Sequence, residues 1–336
     1  MTDRLPRVLF VTSDSADYMS DTLMHGLRLV LGDRLVETPR RDPLYTDFPD
    51  SWRSSQYGRG FTLYSGSLEP IEIDRTSTRE RLHAGEFDLL VIGDIWRCYG
   101  TFAELLPFAG ETPIAVVDGV DSEAPVPYEP RWWLRPSVWS LPRPHRHATY
   151  FKRELTPRTT WFRTYLLNPV ARRPPRSMRP ISFGIPEHLV STSVPEKTKE
   201  FPAHVVDVEV AARVGAASSY AFADEDAYYA DLRAARFGIT TKRGGWDCMR
   251  HYEVAASGCV VCFRQLSAKP ASCAPHGLGP SNTLEYSDAE DLLARVGALT
   301  PEAERELQEA ALAWARKNTT RAVATRFLRE LGYSLP

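Results

Sequence analysis

Phe237-Gly-Ile-Thr-Thr-Lys-Arg-Gly-Gly-Trp-Asp-Cys-Met-Arg-His-Tyr-Glu253-Val-Ala-Ala-Ser-Gly-Cys-Val-Val-Cys-Phe263 reads as a strand, a loop, a helix and a second strand. Phe237 to Thr241 and Cys259 to Phe263 are short apolar runs with β-branched residues, as buried strands require. Between them, Asp247 to Ser257 carries apolar residues at helical spacing, with Asp247 as the expected cap and Gly258 as the stop. Gly244 and Gly245 let the backbone turn tightly and come close to a ligand. The helix that follows offers free N–H groups and a positive dipole end, which suit a phosphate. Lys242 and Arg243 precede the turn and Arg250 lies one turn into the helix, so three cations surround a place for a diphosphate. Glu253 sits six residues beyond Asp247 on an otherwise apolar helix, where a carboxylate can accept hydrogen bonds from two ribose hydroxyls.

Strands alternate with helices on both sides of this stretch, which predicts parallel sheets covered on both faces. Toward the N-terminus, Arg7 to Thr12, Leu35 to Thr38, Phe87 to Ile92 and Pro113 to Val117 read as strands. A helix with Leu23, Met24, Leu27 and Leu31 follows the first and stops at Gly32, and another runs from about Thr101 to Phe108. Residues 40–80 give no placeable element. In the second half, His204 to Val210 reads as a strand and Asp224 to Ala235 as a helix. Ser287-Asp-Ala-Glu290 is read as a capping box opening a helix through Val296, and Thr300-Pro301 as the start of another. A last helix carries Val323, Phe327, Leu328 and Leu331. The expected architecture is α/β: two Rossmann-like domains facing a cleft, with C-terminal helices crossing back to the first. Its boundaries are 1–185, 186–318 and 319–336. Ligands of such sheets sit outside the carboxyl ends of the strands, here the loops 13–18, 93–97 and 118–121.

The 336 residues carry a net charge of −2 with 43% hydrophobic and 25% charged residues, ordinary for a globular protein and against disorder. Apolar runs end at about six residues, far short of the ~20 of a membrane helix. The N-terminus has no apolar secretion core, and five cysteines are an odd number, so reduced thiols in the cytoplasm are expected. The neutral total hides a segregation. Residues 131–180 hold 12 Lys or Arg against one acid, Glu154, and leave the remainder at −13. The same window holds eight prolines and the aromatics Trp132, Trp133, Trp139, Tyr150, Phe151, Trp161, Phe162 and Tyr165. Such a segment suits an anionic partner, with arginines on phosphates and rings on bases or sugars. The alternative is a seam whose arginines pair with the surplus carboxylates elsewhere in the chain.

The run Gly245-Trp-Asp-Cys-Met-Arg-His-Tyr-Glu253, followed by Gly258, resembles the donor-binding segment of GT-B type nucleotide-sugar glycosyltransferases, most of all the exostosin-like and spore-coat-type bacterial branch. The stretches near 7–18, 87–97 and 113–121, with Tyr150-Phe-Lys-Arg-Glu-Leu155, are similar to that branch too. The resemblance implies that Gly245, Trp246, Asp247, Arg250 and Glu253 bind the donor, with the glutamate on the ribose; Lys242, Arg243 and Gly244 join them as the cations and turn residue before the helix. It implies a metal-independent sugar transfer with no cofactor beyond the nucleoside-diphosphate sugar itself. Many retaining members carry a second glutamate eight positions before the first. Gly245 stands there, so no stereochemistry is implied.

Asp17 is the first expectation for a base on the acceptor side and Asp118 the second, with His251 beside the proposed phosphates as a third catalytic candidate. Asp14, Asp94 and Asp121 share that placement at strand ends. Arg143, Arg146, Arg172 and Arg173 are the expected acceptor contacts, for an acceptor that is either polyanionic (modified DNA, a phosphorylated glycan or a lipid phosphate) or a small hydroxylated metabolite. Asp224-Glu-Asp226 matches a metal-binding pattern, but its place at a helix start favours capping. Cys259 and Cys262 lie three apart in a strand, point to opposite faces and read as buried hydrophobes. Two rival functions fit the same residues: a nucleotide-sugar epimerase, which needs no acceptor, and a nucleic-acid-binding protein with a silent sugar site.

Overall fold

The computed structural model describes residues 5–128, 140–157, 159, 178–219 and 221–335. Trp132, Trp133, Trp139, Trp161, Phe162, Tyr165, Arg172 and Arg173 lie outside the described residues. The chain divides into two compact units: Met1–Phe183 with Ser272–Ala274 and Thr320–Pro336, and Gly184–Ala271 with Pro275–Thr319.

The first unit is built on six parallel strands: β1 (Val8–Val11), β2 (Leu35–Thr38), β3 (Leu89–Ile92), β4 (Ile114–Asp118), β5 (Thr149–Lys152) and β6 (Met178–Pro180), in the order β2-β1-β3-β4-β5-β6. Strands buried on both faces must be apolar throughout, and Val8 to Val11 and Leu89 to Ile92 are. Leu9, Val11, Leu90, Ile92 and Val116 join Phe102 and Leu105 in one core cluster. The helix Tyr18–Leu31 buries Leu23, Met24 and Leu27, and Gly32 stops it at φ 58°. The C-terminal helix Thr320–Glu330 packs on it. Gly26 permits this contact, because a Cβ there would lie 2.0 Å from the Thr320 carbonyl oxygen.

The basic segment is part of this sheet, since it supplies β5 and β6. Some of its charge is consumed inside the fold. Lys152 is fully buried on Asp118, Arg153 is buried with Asp121 and Glu154, and Arg179 pairs with Glu330.

The second unit carries a parallel sheet β7 (Phe237–Thr240), β8 (Val260–Arg264) and β9 (Thr283–Tyr286), in that order. Phe237, Ile239, Val260, Cys262, Leu292 and Val296 form its core. Gly238 lets the following helix lie close to β7, since a Cβ would meet Val254 at 2.3 Å. The strand expected over His204 to Val210 is absent. His204 makes only an isolated bridge to Ala217, and Val208–Val214 is a helix capped by Asp207, which accepts from the Glu209 and Val210 N–H groups. A cap aspartate outweighs the β preference of alternating valines here. The capping box also sits one residue later than expected. Asp288 caps Ala289–Ala298, and Asp291 accepts from the Ser287 N–H.

Candidate functional site

In the second unit the carboxyl end of β7 runs into the loop 241–248 and the helix Met249–Ala256. Lys242, Arg243 and Gly244 are exposed on that loop. Lys242 Nζ stands 5.1 Å from the centre of the Trp246 ring, and the Arg243 N–H donates to the Gly245 carbonyl at 3.0 Å. Cys248, not Asp247, is the residue that caps the helix, and it makes no side-chain cap bond. Asp247 is buried and accepts instead from the Tyr252 hydroxyl at 2.9 Å, tying the loop to its helix.

Glu253 is not the isolated carboxylate its sequence surroundings suggest. Its Oε2 accepts from the Tyr228 hydroxyl at 2.5 Å and stands 3.6 Å from Arg250 Nε. The Arg250 guanidinium lies 5.2 Å from the Tyr228 ring centre and donates to His204 Nδ1 at 3.2 Å. Burial and the Arg250 charge hold His204 down to about 4, so it is neutral at pH 7 and can accept that bond. Burial raises the Tyr228 hydroxyl well above its usual range, which keeps it a donor. Tyr228 and His204 are the site residues that sequence reading misses. Their signal is indirect: Tyr228 lies on the helix Glu225–Ala234, twenty-five residues from its partner.

His251 is turned into the core of its unit. It is fully buried and stacks on Phe263 with ring centres 4.6 Å apart. Its Nε2 is 2.8 Å from the Trp246 carbonyl and its Nδ1 is 2.7 Å from the Thr240 hydroxyl. A carbonyl can only accept, so Nε2 carries the proton and Nδ1 accepts from Thr240. The imidazole is a strut between the end of β7 and the loop, which removes it as a catalytic candidate.

In the first unit, the loops after β1, β3 and β4 leave the carboxyl ends of adjacent strands. Asp17 caps the helix Tyr18–Leu31, with Oδ1 accepting from the Ser20 N–H at 2.9 Å. Its Oδ2 is 3.4 Å from Arg97 Nη1, and the same nitrogen donates to Asp94 Oδ2 at 2.8 Å. Ser13 Oγ donates to Asp94 at 3.2 Å. Asp17 keeps 21% of its side chain exposed and Arg97 39%. Burial pushes the Asp17 carboxyl up to about 7, helped by the Asp94 and Asp21 charges and opposed by the Ser20 N–H and Arg97. Such a group gains and loses its proton near neutral pH, as a general base must.

Asp118 is excluded from that role by its partners. It is fully buried, and it accepts from the Tyr150 hydroxyl at 2.5 Å, Lys152 Nζ at 2.8 Å and the Val120 N–H at 3.2 Å. Arg143 and Arg146 belong to the short helix Pro144–His147 and its N-cap, which lead into β5. Arg143 packs over Tyr128 at 5.8 Å and donates to the Tyr99 hydroxyl at 3.4 Å. Asp224 caps its helix through the Ala227 N–H. Among the described residues no group of three or more His, Cys, Asp or Glu side chains could hold a metal ion.

No protein-family model matches the sequence, and no curated protein matches it. Solved structures do match its fold. The crystal structure of Anabaena HepE in complex with UDP and glucose superposes with a TM-score of 0.55 at 10% identity, covering 98% of this chain and 100% of that one. A glycosyltransferase from Rickettsia africae gives 0.50 at 10% identity over 96% and 97% of the two chains. The alpha,alpha-trehalose 6-phosphate synthase of Burkholderia multivorans gives 0.50 at 13% identity over 98% and 97%. At these identities the likeness is one of fold: the chain has the two Rossmann-like α/β units of the GT-B type.

Proposed function

We propose that the protein is a glycosyltransferase that moves a sugar from a nucleoside-diphosphate sugar to a hydroxyl acceptor. The observation that carries this reading is the loop and helix after β7, where exposed Lys242 and Arg243 precede a helix N-terminus and Glu253 is held ready by Tyr228 and Arg250. The UDP in the HepE complex and the resemblance of residues 245–258 to the exostosin-like branch point the same way. Lys242, Arg243 and the helix N–H groups stabilise the departing diphosphate without a metal. Glu253 accepts from the ribose. On the acceptor side, Asp17 takes the proton of the hydroxyl as its oxygen bonds to the anomeric carbon. The bond from that carbon to the diphosphate breaks, and its electron pair leaves with the phosphate oxygen. A displacement of this kind inverts the anomeric centre.

The surplus of arginine in 131–180 supports a polyanionic acceptor such as modified DNA, a phosphorylated glycan or a lipid phosphate. The five thiols, none in a disulfide, suit the reducing cytoplasm. A thermal-shift screen against UDP-, GDP-, ADP- and dTDP-sugars tests the donor site, because a ligand of the folded state raises the melting temperature by mass action. Stabilisation by one base and its sugars supports the reading. Stabilisation by none of the four refutes it.

A further inference from the structure

Arg97 bridges two carboxylates that sit on different loops. Its Nη1 reaches Asp94 Oδ2 at 2.8 Å and Asp17 Oδ2 at 3.4 Å, and its backbone N–H donates to Asp94 Oδ1 at 3.2 Å. Asp94 is 3% exposed and is fixed a third time by Ser13. The loops that carry these groups approach closely. A Cβ on Gly93 would lie 2.3 Å from Phe10, and one on Gly119 would lie 2.6 Å from Met19 and 3.3 Å from Asp17 Oδ1. Arg41, the next cation, is committed to Asp21, which it grips through Nε at 2.9 Å, while Tyr64 donates to Asp21 at 2.6 Å. Among the described residues Arg97 is the cation paired with Asp17, with Asp94 and Asp21 as its neighbouring carboxylates; Arg153, which donates to the Gly119 carbonyl at 3.0 Å, is committed to Asp121.

We infer that Asp94 and Arg97 are positioning residues for Asp17: the shared guanidinium holds the Asp17 carboxylate at the strand ends, and the Asp94 charge behind it makes that carboxylate a stronger proton acceptor. This rests on the reading of Asp17 as the base. The chemistry is opposed and local. A like charge favours protonation of Asp17 and a guanidinium disfavours it, so removing each partner moves Asp17 in the opposite direction. The raised proton affinity of Asp17 agrees with this arrangement.

The experiment follows the aspartate carboxyl carbons by NMR against pH in the full chain without ligand, with the Asp17 signal assigned by its loss in Asp17→Asn. Asp94→Asn keeps the shape and should lower the Asp17 midpoint by about one pH unit. Arg97→Gln should raise it. An Asp17 midpoint unmoved by Asp94→Asn, or lowered by Arg97→Gln, overturns the inference. The acid limb of the kcat/KM profile for sugar transfer should follow the same two shifts. Transfer that survives in Asp17→Asn would overturn the base reading and this inference with it. Transfer lost in Asp17→Asn with immobile midpoints in the other two variants would overturn the inference alone.

Discussion

Glu253→Gln isolates what the carboxylate charge does for the donor. In the structure Oε2 takes the Tyr228 hydroxyl at 2.5 Å and faces Arg250 at 3.6 Å. Glutamine keeps an oxygen for Tyr228 and nearly the same volume, so the packing of the helix Met249–Ala256 survives. What it loses is the charge that strengthens bonds from the ribose hydroxyls. A hydrogen bond to a charged group is worth about 1.5–3 kcal/mol against roughly 1 for a neutral pair. Two weakened bonds therefore cost about 1–4 kcal/mol, or roughly fivefold to nearly a thousandfold in affinity. Alanine is the poorer probe. Both changes remove the counter-charge of Arg250, but alanine also leaves the buried Tyr228 hydroxyl without this acceptor, at a further stability cost of about 1–3 kcal/mol. Isothermal titration of the best nucleotide sugar from the screen against both proteins, with melting temperatures as the control for folding, gives the answer. Unchanged donor affinity in a Glu253→Gln protein of normal melting temperature would make Glu253 a structural partner of Tyr228 and nothing more.

Further outcomes are expected. His251→Ala should destabilise the protein by about 2–4 kcal/mol, because it removes the partner of the buried Thr240 hydroxyl, one bond to the Trp246 carbonyl and the stack on Phe263, and urea unfolding reads this directly. Transfer should survive EDTA; its loss, with rescue by manganese or magnesium, would contradict the diphosphate role of Lys242 and Arg243. Asp17 binds its proton more tightly folded, near 7, than the ordinary 3.8, so its protonation stabilises the fold at low pH and that contribution fades as pH rises through 7. Asp17→Asn keeps the helix cap and should gain stability relative to the wild type between about pH 4 and pH 8, in melting curves across that range. A difference that does not change with pH would refute the raised proton affinity.

The strands β1, β3, β7 and β8 were legible because each is a short apolar run buried on both faces, a pattern that no amphipathic helix shares. Gly32 and Gly258 were legible as helix stops, and both adopt positive φ. The segment 204–210 was not, since a valine alternation and a cap aspartate give contrary local signals and only tertiary packing decides between them. The charge of the basic segment was legible, but the share of it held inside the fold was not. A charge count cannot see that Lys152 and Arg153 are buried against Asp118 and Asp121. Of the candidate site, the donor helix was readable because its residues are contiguous. Its supports were not, because Tyr228 and His204 come from elements 25 and 46 residues away. On the acceptor side, sequence placed Asp17, Asp94 and Asp118 alike at strand ends. Only the burial of Asp118 against Tyr150 and Lys152, and the sharing of Arg97 by the other two, separates them.

The central claim is tested most directly by incubating the purified protein with the nucleotide sugar that stabilises it and following the sugar and the nucleotide together by NMR. The account predicts release of the nucleoside diphosphate as the sugar leaves it, fastest when a hydroxyl acceptor is present and strongly reduced in Glu253→Gln. A sugar that changes configuration while still attached to its nucleotide, or a nucleotide sugar that remains intact with every acceptor, would contradict it.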